Sequence, residues 1–290
     1  MSTQETIAVL GAGGTMGGPM ARNLARSGCS VRAWNRSAEK VQALADDGAE
    51  LCATPAEAAT GATVILTMLS DADAVLDVMD GPSGALEGSD AGAVWLQMST
   101  IGIDATDRCA ELAERHGLRF VDAPVLGTKQ PAERGELVIL ASGPDDLRER
   151  LAPIFDVVGK RTLWLGAAGA GTRLKVAVNA WILTVVEGAA ETLALAEGLG
   201  LDPSLVLDAV SGGPLDLPYL QMKGKAMIER NFEPSFRLAL AAKDAALVEE
   251  AATRYGLDLP LVETIRRRLE AGAREHGDED VAATFLTAAP

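Results

Sequence analysis

Thr6-Ile7-Ala8-Val9-Leu10-Gly11-Ala12-Gly13-Gly14-Thr15-Met16-Gly17 decides the fold of this chain. An apolar strand-like run, Thr6 to Leu10, enters a glycine-rich turn. A helical pattern, Met20 to Ala25, leaves it. A second strand pattern, Val31 to Trp34, follows and ends in Asn35-Arg36-Ser37. Strand, glycine turn, helix and strand in that order form the front half of a dinucleotide-binding βαβ unit. Gly11, Gly13, Gly14 and Gly17 let the backbone turn sharply and approach a pyrophosphate with no Cβ in the way. Thr15 and Met16 complete the loop. The helix then directs its first N–H groups and its dipole at the phosphates.

The end of the second strand refines the expected cofactor. A site for NAD usually places Asp or Glu there to bind the ribose 2′-hydroxyl. Here the chain reads Trp34-Asn35-Arg36-Ser37, with no acid. A guanidinium is a planar fork with a fixed positive charge and suits the 2′-phosphate of NADP. The expected cofactor is therefore NADP (NADPH) in preference to NAD, although an arginine in such a loop can equally be solvated.

The 290 residues suit two domains, or one large one, with an ample core. Hydrophobic residues make up 48% and charged residues 23%, an ordinary balance for a globular protein. The net charge of −15 argues against a nucleic-acid partner, which needs a basic face. Cys29, Cys52 and Cys109 are odd in number and lack metal-ligand spacing. They read as small buried hydrophobes in a reducing compartment. His116 and His276 lie far apart in sequence, so no metal is expected. His116 precedes Gly117 at a helix end, where its cation would suit the dipole. No basic segment followed by an apolar core stands at the N-terminus, and a cytoplasmic location is expected. The apolar run Val176 to Val186 is too short to span a membrane and reads as a buried helix, so no membrane partner is expected.

Strand and helix patterns alternate up to about residue 165. Strands are expected at Thr6–Leu10, Val31–Trp34, Thr63–Met68, Val94–Met98, Arg119–Asp122, Leu137–Ala141 and Thr162–Leu165. Helices fit between them, at Ala38–Asp47, Ala72–Met79, Asp104–Arg115 and Pro144–Phe155. This alternation implies a mainly parallel sheet covered on both faces. After Gly166-Ala167-Ala168-Gly169-Ala170-Gly171 a long helical pattern runs from Thr172 to about Leu199. The remainder reads as helical. The expected architecture is an α/β Rossmann-type domain over residues 1–165. A long helix and an all-α C-terminal domain follow over residues 166–290.

Open α/β sheets bind ligands beyond the carboxyl ends of their strands. Leu69-Ser70, Ser99-Thr100 and Ala123 to Thr128 follow strand patterns and are the positions to inspect. Their hydroxyls can bind ribose or amide groups, or simply cap the next helix. On the long helix, Lys175 and Asn179 are spaced i, i+4 and share a face. The lysine is either a cation reaching water or a positioned proton donor. Burial would lower its pKa towards neutrality, as general acid–base work requires.

Five motifs in order resemble the β-hydroxyacid dehydrogenase family. They are Gly11 to Gly17 with Pro19-Met20-Ala21-Arg22-Asn23-Leu24, then Trp34-Asn35-Arg36, Asp122-Ala123-Pro124-Val125, Gly169-Ala170-Gly171 leading to Lys175 and Asn179, and Lys243-Asp244. Lys129-Gln130-Pro131-Ala132-Glu133-Arg134-Gly135-Glu136-Leu137 looks closest to the glyoxylate/succinic semialdehyde reductases. The resemblance implies reversible hydride transfer between a nicotinamide cofactor and a small aldehyde, keto acid or hydroxy acid. It makes Lys175 the catalytic proton donor, with Asn179 orienting either the substrate or the lysine. It places Leu69, Ser70, Thr100 and Lys243 beside the cofactor, with Asn35, Arg36 and Ser37 as in NADP-using members. Leu126, Gly127, Thr128 and Phe236 are the expected substrate contacts, and a homodimer or homotetramer is implied.

Two features depart from the family pattern. The glycine loop is one residue longer than usual. Either Gly11 and Gly13 keep their roles and the extra residue bulges, or Ala12 takes the first position. Leu126 stands where the family has a serine that helps hold a substrate carboxylate, and leucine has no donor. Two alternatives compete with the leading reading. An imine reductase shares the fold and cofactor loop but tends to replace the lysine. A catalytically silent NADP-binding interaction module would tend to have lost it.

Overall fold

The structure, a computed structural model, describes residues 5–288. It divides into two compact units, Met1–Lys175 and Val176–Pro290. The first contains β1 (Thr6–Leu10), α1 (Gly17–Arg26), β2 (Ser30–Trp34), β3 (Glu50–Leu51), α2 (Pro55–Ala59), β4 (Val64–Thr67), α3 (Ala72–Asp80), α4 (Ala85–Gly88), β5 (Val94–Gln97), α5 (Ile103–Arg115) and β6 (Arg119–Asp122). It continues with β7 (Val125–Leu126), α6 (Lys129–Glu133), β8 (Leu137–Ala141), α7 (Leu147–Val158) and β9 (Gly159–Trp164). The helix α8 (Ala170–Gly198) starts in this unit and runs on into the second. There it is followed by α9 (Ser204–Val210), α10 (Pro218–Ile228), α11 (Leu238–Arg254) and α12 (Pro260–His276).

Six parallel strands form the main sheet in the order β3-β2-β1-β4-β5-β6. Alternation along each strand divides the side chains between two cores. Ile7, Val9, Val64, Leu66, Val94 and Leu96 join Met20 and Leu24 of α1 and Phe155 of α7 on one face. Ala8, Leu10, Ile65 and Trp95 join Met79 of α3 and Cys109 and Leu112 of α5 on the other. Helices therefore cover both faces, which is why the strands read as continuous apolar runs. Strand order reverses beside β1, with β2 on one side and β4 on the other. The crevice beyond their carboxyl ends is where such sheets bind ligands.

Four local expectations are corrected. Leu137–Ala141 and Thr162–Leu165 do not extend the main sheet. The strands there, β8 and β9, make a separate three-stranded sheet with β7. After β6 the chain turns at Pro124, and β7 runs antiparallel to β8 with Val125 opposite Ile139. Residues Ala38–Leu44 form a 3-10 helix rather than the α-helix expected over Ala38–Asp47. Cys29 is half-exposed, whereas Cys52 and Cys109 are buried. Burial pushes the Cys109 thiol up to about 12. Finally, the Val176–Val186 run belongs to a 29-residue helix that is long and apolar enough to cross a membrane by length and composition. It is buried on one side only. Leu183, Val186, Ala190 and Leu193 pack with Leu238, Ile265 and Phe285 in the core of the second unit. Trp181 is 60% exposed. A core helix of a globular domain meets the same length and composition test.

Candidate active site

The glycine loop is shaped by contacts that exclude a Cβ. Gly11 follows β1 at φ +96°, and a Cβ there would lie 2.2 Å from the Met68 carbonyl oxygen. The N–H groups of Gly11 and Ala12 both donate to the Trp34 carbonyl at 3.0 Å, tying the loop to the end of β2. A Cβ on Gly17 would lie 2.2 Å from the Gly11 carbonyl oxygen, so α1 sits directly against the turn. A Cβ on Gly13 would come within 2.7 Å of the Asn35 side chain. Gly11 therefore makes the turn that follows β1. Gly14 and Thr15 are exposed at the rim and Met16 is half-buried. The first turn of α1 has no acid and no side-chain cap. A narrow backbone cradle ending in an uncapped helix N-terminus fits a pyrophosphate.

Beside it, Asn35 braces two loops. Its Oδ1 accepts from the Gly13 N–H at 3.2 Å, and its Nδ2 donates to the Ser37 carbonyl at 3.0 Å. Arg36 and Lys40 are exposed and Ser37 is half-buried. Arg36 and Lys40 form no ion pair among the described residues, and no acid ends β2.

A buried polar network holds the ends of β4 and β5. Ser99 Oγ accepts from the Leu69 N–H at 2.9 Å. Gln97 Oε1 accepts from the Ser99 N–H at 2.7 Å, and Gln97 Nε2 donates to the Ser99 carbonyl at 2.8 Å. Trp95 Nε1 donates to Thr67 Oγ1 at 3.0 Å. Every buried donor named here is satisfied, which fixes the loop that carries Leu69. The N-cap positions of α3 and α5 are Asp71 and Gly102, not Ser70 or Thr100. Asp71 caps α3 by accepting from the Ala74 N–H at 2.8 Å, and Gly102 stands at the start of α5. Ser70 Oγ instead lies 2.6 Å from Asp71 Oδ2.

Lys175 and Asn179 stand one turn apart on α8 and are only 8% and 4% exposed. The lysine is thus buried and is not a helix-end cation reaching into water. Asn179 Nδ2 donates to Asp244 Oδ2 at 3.0 Å, and Lys243 Nζ pairs with Asp244 Oδ1 at 3.1 Å. Asp244 on α11 is 5% exposed. The Lys243-Asp244 motif includes Asp244, but sequence reasoning gave a role only to Lys243. The available signal was a carboxylate within Leu238-Ala239-Leu240-Ala241-Ala242-Lys243-Asp244-Ala245, since an acid buried in an apolar helix needs partners.

Among the expected substrate contacts, Leu126 is half-buried on β7 opposite Val138. Gly127 has φ +126°, and a Cβ there would lie 2.8 Å from Leu137 Cδ2. Thr128 is half-buried and makes no capping hydrogen bond to α6. Phe236, in the second unit, packs against that unit's core, and its N–H donates to Asp280 Oδ2 at 3.1 Å. Among the described residues, no three His, Cys, Asp or Glu side chains cluster to hold a metal ion.

The glycine loop fits a dinucleotide, and comparison with known proteins agrees on that point. Residues 6–166 match the family described as the NAD binding domain of 6-phosphogluconate dehydrogenase. Residues 169–287 match the family described as NAD-binding of NADP-dependent 3-hydroxyisobutyrate dehydrogenase. Glyoxylate/succinic semialdehyde reductase 1 of Arabidopsis thaliana is 35% identical over 86% of this chain and 86% of its own length. The chloroplastic reductase 2 of the same plant is 32% identical over 98% of this chain and 81% of its own length. A 3-hydroxyisobutyrate dehydrogenase from Mycobacterium tuberculosis, solved with L-serine, superposes with a TM-score of 0.88 at 28% identity. It covers 98% of this chain and 99% of its own. The chain belongs to the β-hydroxyacid dehydrogenase family of NAD(P)-dependent oxidoreductases.

Proposed function

We propose that this protein is an NADPH-dependent reductase of a small aldehyde or keto acid, with Lys175 as proton donor. The observation that carries this reading is the burial of Lys175, one turn before an asparagine whose amide is held by Asp244. An amine removed from water gives up its proton more readily than a solvated one. Bound NADPH supplies the hydride. Lys175 Nζ gives its proton to the carbonyl oxygen and takes it back in the oxidative direction. While charged it also stabilises the negative charge developing on that oxygen. Asp244 fixes the Asn179 amide, which gives the substrate a polar group of defined orientation.

Arg36, with Lys40 beside it, supports NADP in preference to NAD, as does the lack of an acid at the end of β2. The family position of the glyoxylate/succinic semialdehyde reductases supports a short semialdehyde or keto acid. Leu126 offers no donor, so a substrate carboxylate has to be held by other groups. The exposed apolar side chains Trp181 and Leu195 on α8, with Leu199 just after it, support a homodimer or homotetramer.

NADPH consumption with glyoxylate, succinic semialdehyde, an uncharged aldehyde and a cyclic imine tests the reading. The expected result is carbonyl turnover with an NADPH preference of about tenfold or more over NADH, a preference that Arg36→Ala reduces. Imine reduction without carbonyl turnover moves the reaction to C=N bonds. Tight NADPH binding with no turnover on any of these substrates points to a silent binding module.

A further inference from the structure

We propose that Asp122 is a positioning residue: its buried carboxylate grips the first turn of α8 and so sets where Lys175 stands. The proposal rests on the reading of Lys175 as the proton donor.

Helices begin with N–H groups that have no partner inside the helix. At the start of α8 the N–H groups of residues 170–173 all have partners. The Ala170 N–H donates to the Ala167 carbonyl at 3.2 Å, and the Arg173 N–H donates to the Gly169 carbonyl at 3.1 Å. The two between them leave the local chain. The Gly171 N–H donates to Ser142 Oγ at 2.9 Å, and the Thr172 N–H donates to Asp122 Oδ2 at 2.7 Å. Thr172 Oγ1 donates to Asp122 Oδ1 at 2.7 Å, so one residue of the helix occupies both carboxylate oxygens. Ser142 Oγ lies 3.3 Å from Asp122 Oδ2, and the two residues exchange backbone hydrogen bonds at 2.7 and 2.9 Å. Thr106 Oγ1 of α5 lies 3.2 Å from Thr172 Oγ1.

The helix start has no slack. A Cβ on Gly171 would lie 2.1 Å from the Leu140 carbonyl oxygen and 3.1 Å from the Asp122 carbonyl oxygen. Lys175 follows Thr172 by three residues, about 4.5 Å along the axis, within the same rigid turn. Displacing the first turn therefore displaces the lysine.

Helix capping alone does not need this arrangement. Thr54 caps α2 and Asp71 caps α3, each with a side chain from the residue just before the helix. The cap of α8 comes from the carboxyl end of β6, fifty residues back in sequence. That link ties the lysine-bearing helix to the edge of the sheet where the cofactor loops sit. It also carries a cost in desolvation: burial pushes the Asp122 carboxyl up to about 6, against the pull of the Thr172 and Ser142 hydrogen bonds and the Arg173 charge.

Asp122→Ala, Asp122→Asn, Thr172→Val and Lys175→Ala, each in the full chain, test the proposal by two readouts. These are steady-state NADPH kinetics and amide hydrogen exchange across residues 170–178. Asn keeps an acceptor for the Thr172 N–H and can donate to a turned Thr172 hydroxyl, so it rescues in part. For Asp122→Ala, kcat falls about 100-fold while the Kd for NADPH stays within about threefold. Exchange at 171–175 rises at least about tenfold, while exchange further along α8 is unchanged. Asp122→Asn and Thr172→Val lie between Ala and wild type in both readouts. Wild-type kcat in Asp122→Ala, or unchanged exchange at 171–175, overturns the proposal. Should Asp122→Ala fail to fold, wild-type kcat in both Asp122→Asn and Thr172→Val overturns it. Turnover surviving in Lys175→Ala defeats the proton-donor reading instead, and the exchange data still judge the cap.

Discussion

Replacing Gly17 by alanine probes how closely α1 is pressed onto the phosphate loop. The added Cβ would stand 2.2 Å from the Gly11 carbonyl oxygen and 3.0 Å from its carbon. Both are backbone atoms, so no side-chain rotation relieves the contact. Ordinary carbon contacts lie near 3.5 Å, so α1 has to retreat by about 1 Å. The retreat is resisted because Met20, Ala21 and Leu24 of α1 are wholly buried. Overpacking of this kind costs about 1–3 kcal/mol. In a chain of this size that lowers the melting temperature by roughly 2–5 °C. The same displacement misaligns the loop and helix N–H groups, and NADPH affinity falls roughly 10- to 100-fold. Calorimetric titration with NADPH and a thermal melt measure the two effects. An NADPH Kd within twofold of wild type, together with an unchanged melt, refutes the cradle geometry.

Gly188→Ala supplies the contrast: a Cβ there meets nothing within 4 Å, so the helix gains about 0.5–1 kcal/mol and chemical denaturation shifts upward with NADPH binding unchanged. Asp244→Ala removes the acceptor from Asn179 and the counter-ion from Lys243. It costs about 1–3 kcal/mol of stability and lowers kcat about tenfold, as read by denaturation and steady-state kinetics, and wild-type kcat contradicts the orienting role. Glu5 has a carboxyl held below its usual range, first by the hydrogen bond from Arg150. A lowered folded pKa means that the unfolded chain binds the proton more tightly. This contribution is full above the ordinary Glu value of 4.5 and is lost as pH falls through the folded value. Glu5→Gln therefore flattens the acid limb of the stability–pH curve, and an unchanged limb refutes the assignment.

The parallel sheet was legible because its strands are buried on both faces and read as apolar runs. Thr6–Leu10 and Leu137–Ala141 match the observed strands residue for residue. The sheet to which Leu137–Ala141 belongs was not legible, because strand partnership is a tertiary property. The two-residue β7 that diverts it is too short to leave a pattern. The glycine loop announced itself, but its tight packing is seen only in three-dimensional contacts, above all Gly11 against Met68 and Gly17 against Gly11. Lys175 and Asn179 stood out by their i, i+4 spacing, but their roles came only from the family resemblance. Their supports, Asp122, Ser142 and Asp244, act across the fold, so nothing in their own neighbourhoods assigned those partners. Asn35 illustrates the same limit: expected at the cofactor, its side chain spends its hydrogen bonds bracing Gly13 and Ser37.

Single-turnover NADPH oxidation by Lys175→Ala, with NADPH affinity measured in the same sample, bears on the chemistry without intermediaries. If Lys175 supplies the proton, the rate falls by about 100-fold or more and the NADPH Kd stays within about threefold. A single-turnover rate equal to wild type, at intact NADPH binding, contradicts that role.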